Sequence, residues 1–385
     1  MTKPRIAALL LAAGRGTRFG ADRPKQYLPL LGRPVLRHAA EALLAEGLVT
    51  LLQPVCPAGE EAEIAAMLAG LPHLPPVVGG ATRQDSVRNG LEALGPHAPE
   101  VVLVHDSARP VVPAGTIPRL LAALERHPGA VPAQPVADTL KRGAAGVIVE
   151  TVPRTGLFRA QTPQAFRYGA LLAAHRAMTE EGTDDASILE AQGLAVALVA
   201  GSETNIKITF PEDLDRVEAM LMSRLVPRVG TGFDVHRTEI GRRMILCGVE
   251  VPSEFGLEGH SDADVGIHAL CDAIYGALAE GDIGTWFPPS QMTWKDADSA
   301  QFLVHAAERV AARGGVLANV DVTLMCERPR IGPHRDAMEQ RLAALLGVPR
   351  GRVSVKATTT ERLGFTGRGE GIACQAAATV LLPFA

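Results

Sequence analysis

Apolar residues run without a break from Ile6 to Ala13 and stop at Gly14. A run this short, closed by a glycine turn, predicts a strand over residues 5–13 that is buried on both faces. "PVLRHAAEALLAEG" (34–47) then sets apolar positions at helical spacing and ends on glycine, which predicts a helix. The two textures alternate along the chain. "VTLLQPVC" and "VVLVHDSARP" read as further strands, "RQDSVRNGLEAL" and "AGTIPRLLAALERH" as helices. Such alternation predicts an α/β domain whose largely parallel sheet is covered on both faces. Ligands on these sheets bind at the carboxyl ends of strands, where "AAGRG" and "HDSARP" both fall.

Between residues 131 and 160 the alternation gives way to "VADTLKR" and "VIVETV", two strands joined by "GAAG". This hairpin reads either as a protruding dimerisation arm or as an ordinary edge hairpin. "FPEDLDRVEAMLMSRL" closes the first unit as a helix, and "VPRVGTGFDVH" opens a new strand. The boundary is therefore expected near 224 to 228, giving domains 1–224 and 228–385. A chain of 385 residues is long enough for two domains, each with its own core. Repeats, heptads and low-complexity segments are absent.

A net charge of -4 argues against a nucleic-acid partner. No apolar run approaches the ~18 residues of a membrane span. The five cysteines include no C-x-x-C pair, which points to reduced thiols in a cytoplasmic protein rather than disulfides or a thiolate zinc site. Lys3 and Arg5 before the apolar run, with "LAAG" after it, have the look of a leader and cleavage site. The motif residues that follow need that strand, so it is expected to stay.

Gly14, Gly16 and Gly20 miss the G-x-G-x-x-G spacing of a dinucleotide turn, and no acid follows ~20 residues on to hold a ribose. Arg15, Arg18, Arg23 and Lys25 instead crowd cations around the loop, which suits a triphosphate and its departing pyrophosphate. "GGATRQDSV" offers a second turn with Arg83 and Ser86. "VHDSARP" sets Asp106 and Arg109 at a strand end, where a carboxylate can hold Mg²⁺ and an arginine a phosphate. Lys207 in the apolar run "NIKIT" reads as a buried-strand lysine needing an anion or a solvent exit.

With "PKQY", "VADTLK", "TVPRTGL", "QTPQAF" and "TDDAS" added in order, residues 1 to about 223 resemble methylerythritol phosphate cytidylyltransferase. The resemblance implies a Rossmann-like nucleotidyltransferase fold with a β-arm. It also implies attack by a sugar-alcohol phosphate on the α-phosphorus of CTP, with Mg²⁺ bridging the phosphates. Arg18 and Lys25 would then stabilise transition-state charge, and Arg154 and Lys207 would position the acceptor. Asp106, Arg109, Thr139 and Thr162 would line the substrate site, while Ala12, Ala13, Gly14, Gly16, Gly80 and Ser86 approach CTP. Pro153 stands before Arg154 where the family often has an acid.

Farther on, Asp234 and His236 are two apart in a predicted strand and share a face, as two metal ligands would. "GHSDADVGIHALCDAIYGAL" adds His260 and, on a predicted helix, His268, with Asp272 four residues on and so able to orient it. One oxygen and two nitrogen donors leave a fourth position open, the pattern of a catalytic zinc. "KATTTERLGFTGRGEGIAC" brings hydroxyls, glycine amides and Arg368 that suit phosphate.

With "GDIGTWFP", these stretches resemble methylerythritol cyclodiphosphate synthase over about 228–385, a smaller α/β domain. The resemblance implies an intramolecular attack of phosphate on phosphate that expels CMP. Asp234, His236 and His268 would hold Zn²⁺ or another divalent transition metal, and His260 and Thr359 would stabilise the transition state. Glu361 would ligate a second ion, Mg²⁺, at the diphosphate. Ser261, Thr358, Thr360, Phe365 and Arg368 would contact substrate, Asp282, Ile283 and Gly284 its methylerythritol part, and "CERPRIGPH" (326–334) the cytosine. "PSQ" at 289–291 replaces the family's acidic loop.

Together the two resemblances imply a bifunctional enzyme acting on small molecules at two non-consecutive steps. The intervening step is a phosphorylation, and no G-x-x-x-x-G-K-[ST] loop is present to supply it, so handover would require association with a partner kinase. A dimeric transferase fused to a trimeric synthase is expected to be a homo-oligomer, and the combination permits a hexamer. The residues alone leave open another nucleotidyltransferase joined to a metal hydrolase, and a scaffold that binds without turnover.

Overall fold

Alternate residues of the strand Ile6–Leu11 feed two different cores, Ile6, Ala8 and Leu10 one, Ala7 and Leu9 the other. A strand covered on both faces has no polar side, which is why its run is unbroken. The computed structural model describes residues 5–14, 23–259, 261–288 and 297–383. It divides into two units, 1–220 and 221–385.

The first unit is built on an eight-stranded mixed sheet. Its order is Phe158–Ala160, Gly129–Pro135, Gln164–Arg167, Val101–Asp106, Ile6–Leu11, Leu51–Cys56, Val77–Val78, with Val196–Ala200 paired parallel to Gly129–Pro135. The strands from Val101–Asp106 to Val77–Val78 are mutually parallel. Gln164–Arg167 runs antiparallel between two of the others. Helices Val35–Leu44, Arg83–Leu94 and Thr116–Ala123 stand where helical spacing predicts them. The expected hairpin forms a separate two-stranded sheet, Leu140–Ala144 with Val147–Val152, turned by Ala145 and Gly146 at positive φ. Val147, Ile148 and Val149 on it are exposed.

The second unit has a five-stranded sheet in the order Phe255–Leu257, Leu225–Ile240, Gly371–Pro383, Val316–Met325, Val353–Thr358. Helix Val265–Leu278 lies against the two longest strands. Gly230 and Gly232 allow this: a Cβ on either would sit 2.0 Å from a helix carbonyl oxygen, that of Ala273 or Ala269. The inward positions Gly230, Gly232, Asp234 and His236 alternate with outward Val229, Phe233 and Val235, which stay exposed. Among the described residues no helix is long and apolar enough to cross a membrane, and all five cysteines are free and buried.

Candidate active sites

In the first unit a cavity of about 630 Å³ opens at the carboxyl ends of Ile6–Leu11 and Val101–Asp106. Ala13, Gly14, Lys25, Gly80, Ser86, Asp106 and Lys207 line it, together with Gln26 and Arg83. The second glycine turn is shaped by its contacts. A Cβ on Gly80 would fall 2.2 Å from that of Asp85, and Ser86 Oγ accepts from Gly80 N–H while donating to the Thr82 carbonyl. Thr82 and Asp85 form a reciprocal cap on the helix that follows.

Asp106 is the electrostatic centre of the cavity. Lys207 Nζ lies 2.8 Å from its carboxylate, Arg83 3.8 Å and Arg109 4.0 Å. Burial alone would favour the protonated acid, but Lys207, Arg83 and Arg109 hold the carboxyl well below its usual range. From beneath, Thr162 Oγ accepts the Asp106 N–H at 3.1 Å. His105 Nε2 donates to the Arg109 carbonyl, so its Nδ1 must accept from the Thr162 hydroxyl. Burial pushes this neutral histidine down to about 4. Arg83 is held in turn by Asp185, which also pairs with His175.

Several expected residues take other places. Lys207 is not in a strand: it lies in an irregular segment tied to Ala108 through the Ile208 N–H, half-exposed, with Asp106 as its anion. Ala12 is core, and the Gln26 amide grips its carbonyl and that of Gly14. Arg109 donates to the Asn205 carbonyl behind the cavity. Thr139 and Arg154 are exposed, the Arg154 guanidinium donating to the Ala137 carbonyl at the base of the hairpin. Arg18 and Gly16 lie outside the described residues, as do Arg15 and Gly20.

In the second unit Asp234, His236 and His268 each offer one ligand atom, all within 4.8 Å of one another. Asp234 Oδ2 lies 3.0 Å from His236 Nε2 and 3.2 Å from His268 Nδ1. Burial opposes charge on Asp234, yet the two imidazoles against its carboxylate keep it well below the usual carboxylate range. His236 Nδ1 donates to the Glu258 carbonyl, leaving the Nε2 lone pair for a cation. The helix carrying His268 is capped by buried Asp264, which accepts from Gly266, Ile267, Cys247 and Gly248.

Asp272 does not orient His268. It accepts the Ile283 N–H at 2.8 Å and so fixes the turn that carries Asp282, Ile283 and Gly284. Asp282 caps that turn through Thr285. Ser261 is buried with its hydroxyl 3.3 Å from His268 Nε2. His260 and residues 289–291 lie outside the described residues.

The threonine-rich turn stands apart. Glu327 accepts from the Thr360 and Arg362 amides, Thr359 donates to Glu361, and Glu361 and Arg362 have positive φ. Thr358 is exposed at a strand end, Phe365 is exposed, and Arg368 pairs with Glu370 beside a cavity of about 250 Å³. Register runs from Asp234 through Cys374 and Leu324 to Ala357, three strand spacings or roughly 14 Å. Within one chain, therefore, this turn is remote from the Asp234–His236–His268 triad. Gln26, Glu327 and Ser299 have no local signature; only folding shows what they hold.

The family model for IspD, 2-C-methyl-D-erythritol 4-phosphate cytidylyltransferase, matches residues 6–223, and that of the YgbB family matches 227–381. The chain is 62% identical to the bifunctional enzyme IspD/IspF of Granulibacter bethesdensis, covering 98% of this chain and 100% of that one. To the bifunctional enzyme IspD/IspF of Gluconobacter oxydans it is 60% identical over 98% of each. The solved structure of bifunctional IspDF from Campylobacter jejuni is 32% identical over 98% of each chain, with a TM-score of 0.49.

Proposed function

Because this chain belongs to the bifunctional IspD/IspF family, we propose that its two units act as separate phosphorus-transfer centres, assigned residue by residue below. The chain is an enzyme of isoprenoid-precursor synthesis with two activities. One transfers CMP from CTP to 2-C-methyl-D-erythritol 4-phosphate and releases pyrophosphate. The other cyclises 4-diphosphocytidyl-2-C-methyl-D-erythritol 2-phosphate to the 2,4-cyclodiphosphate and releases CMP. We assign the first to residues 1–224 and the second to 228–385.

In the first centre the acceptor phosphate attacks the α-phosphorus of CTP as the bond to pyrophosphate breaks. Arg18 and Lys25 neutralise the charge that builds up, and Ala13, Gly14, Gly80 and Ser86 bring backbone and hydroxyl to the nucleotide. Lys207 positions the acceptor, with Arg154 and Thr139 on or beside the arm. Asp106, steadied by Arg109 and Thr162, is the carboxylate available to Mg²⁺ travelling with CTP. The observation that carries this assignment is the Asp106–Lys207–Arg83 cluster facing one cavity with the glycine turns.

In the second centre the donor set fits a divalent metal, for which we favour Zn²⁺. One carboxylate and two imidazoles converge, and each imidazole has its far nitrogen bonded to an oxygen. When bound, such an ion supplies Lewis acidity to a phosphate oxygen. Asp282, Ile283 and Gly284 face the methylerythritol part, while Ser261, Thr358, Thr360, Phe365 and Arg368 contact substrate. His260 and Thr359 stabilise the transition state, and Glu361 holds Mg²⁺. The roughly 14 Å between Asp234 and Ala357 favours a site completed by the threonine turn of a second copy. Free cysteines suit a cytoplasmic enzyme.

The test supplies CTP and methylerythritol phosphate to the full chain and follows pyrophosphate, then supplies the phosphorylated intermediate and follows CMP. Arg18→Ala is expected to abolish pyrophosphate release and spare CMP release. Near-normal pyrophosphate from that variant overturns the assignment.

A further inference from the structure

Ser299 precedes helix Ala300–Ala312 at the position where a serine ordinarily caps, yet its side chain makes no cap bond. Asp298 accepts the Ala300 N–H instead. The Ser299 hydroxyl is fully buried and spent on two groups outside the helix, Asp262 and His268. Asp262 also accepts the backbone N–H groups of Ser299 and Asp264, so both its oxygens face donors.

These contacts fix two protons, one on the Ser299 hydroxyl and one on the His268 ring. An ionised carboxylate only accepts, so the single hydroxyl proton of Ser299 points at Asp262. Ser299 Oγ, 2.9 Å from His268 Nε2, must then accept, which puts the imidazole proton on Nε2. In the neutral imidazole the Nδ1 lone pair then faces Asp234 and His236, at 3.2 Å from each. Ser261 Oγ, at 3.3 Å, already accepts from Ala263 N–H and is the farther of the two hydroxyls.

Resting on the metal-site reading above, we infer that Asp262 and Ser299 form a relay that fixes the tautomer and ring position of His268. They are positioning residues: neither is a ligand, and together they present His268 Nδ1 as a donor before any cation arrives. Glu258 does the same for His236 through a carbonyl. The Asp262–Ser299 pair differs in being built from two side chains that substitution can remove.

Zn²⁺ affinity of the full chain, measured by competition with a chromophoric chelator, tests this. Ser299→Ala and Asp262→Asn are each expected to weaken binding by about 10- to 100-fold. The double variant should be little weaker than either single one, because both break the same relay. The visible spectrum of the Co²⁺-loaded protein should change in both singles. Ser299→Ala loses two buried hydrogen bonds, so its metal-free thermal unfolding should fall modestly; the change in the Co²⁺ spectrum is the readout that a merely structural role would not move. Affinity within about twofold of the parent in Ser299→Ala, or fully additive losses in the double variant, overturns the relay. So does an affinity loss in Ser299→Ala that leaves the Co²⁺ spectrum unchanged. If the parent chain itself takes up no Zn²⁺, the metal-site reading fails instead.

Discussion

At Asp106 burial and charge pull in opposite directions, and three cations decide the outcome. Removing Lys207, the nearest at 2.8 Å, takes away one of these cations and leaves Arg83 and Arg109 beside the carboxylate. Lys207→Met should lower kcat/KM for cytidylyl transfer by about 10²- to 10³-fold, the usual cost of one transition-state donor, with CMP release from the cyclase substrate unchanged. Beneath Asp106, His105 is neutral when folded because burial holds it near 4, whereas unfolded it titrates at its ordinary 6.5. Acid therefore protonates the unfolded chain first. Stability should fall as pH drops from 6.5 toward 4, by on the order of 3 kcal/mol for this group. Asp106, depressed rather than raised, adds its own loss only below its ordinary 3.8, as the carboxylate is protonated. Urea titrations between pH 7.5 and 4.5 check this, and His105→Gln should flatten the slope. Asp106, Ser86 and the metal ligands were legible because their chemistry is local: a charge at a strand end, or two donors two residues apart. Gln26, Asn205 and Ser299 were not, since what they hold lies 12 to 43 residues away.

Strands and helices were legible for a related reason, that an element buried on both faces writes an unbroken apolar run and an amphipathic helix writes its own period. What the period did not carry was the partner of each polar residue. Asp272 stands one turn after His268 on the same helix, but its carboxylate goes to Ile283 rather than to the imidazole. Lys207 sits among apolar letters without belonging to a strand. Glycines 230 and 232 are the reverse case, small letters with a decisive role. They let helix Val265–Leu278 approach the strand that carries Asp234 and His236, and so bring His268 within 3.2 Å of both. Gly232→Ala puts a methyl group 2.0 Å from the Ala269 carbonyl, which the helix must yield to. The expected result is a loss of about 3 kcal/mol in the second unit and a cyclase that no longer holds its metal. Cytidylyl transfer should persist, so thermal unfolding and the two assays together identify the cause as local.

At the scale of the molecule, two apolar surfaces lie exposed. One is the tip of the hairpin, where Val147, Ile148 and Val149 are each more than 60% exposed. The other is the outer face of Leu225–Ile240, where Val229, Phe233 and Val235 alternate with the buried glycines and the metal ligands. Exposed apolar side chains grouped in this way are candidates for a contact with a second copy. Replacing residues 147 to 149 by threonine should reduce the mass seen in light scattering and weaken cytidylyl transfer while cyclisation continues. The order of motifs announced two units, but the chain pattern held no record of what meets these faces, because a partner surface leaves no period of its own.

Two units also allow the two chemistries to be separated by metal alone. On the proposed assignment the second unit would hold its cation with two imidazoles and a carboxylate, a set that favours a transition metal, whereas in the first unit the ligand would be the Asp106 carboxylate, a hard oxygen that suits Mg²⁺. A chelator selective for transition metals, added with Mg²⁺ in excess, should therefore stop CMP release and leave pyrophosphate release intact. Adding Zn²⁺ back should restore cyclisation. Both activities surviving the chelator would refute the metal role of Asp234, His236 and His268. Both failing together, with Mg²⁺ present, would mean that the transferase centre also depends on a transition metal and that the assignment of Asp106 to Mg²⁺ is wrong.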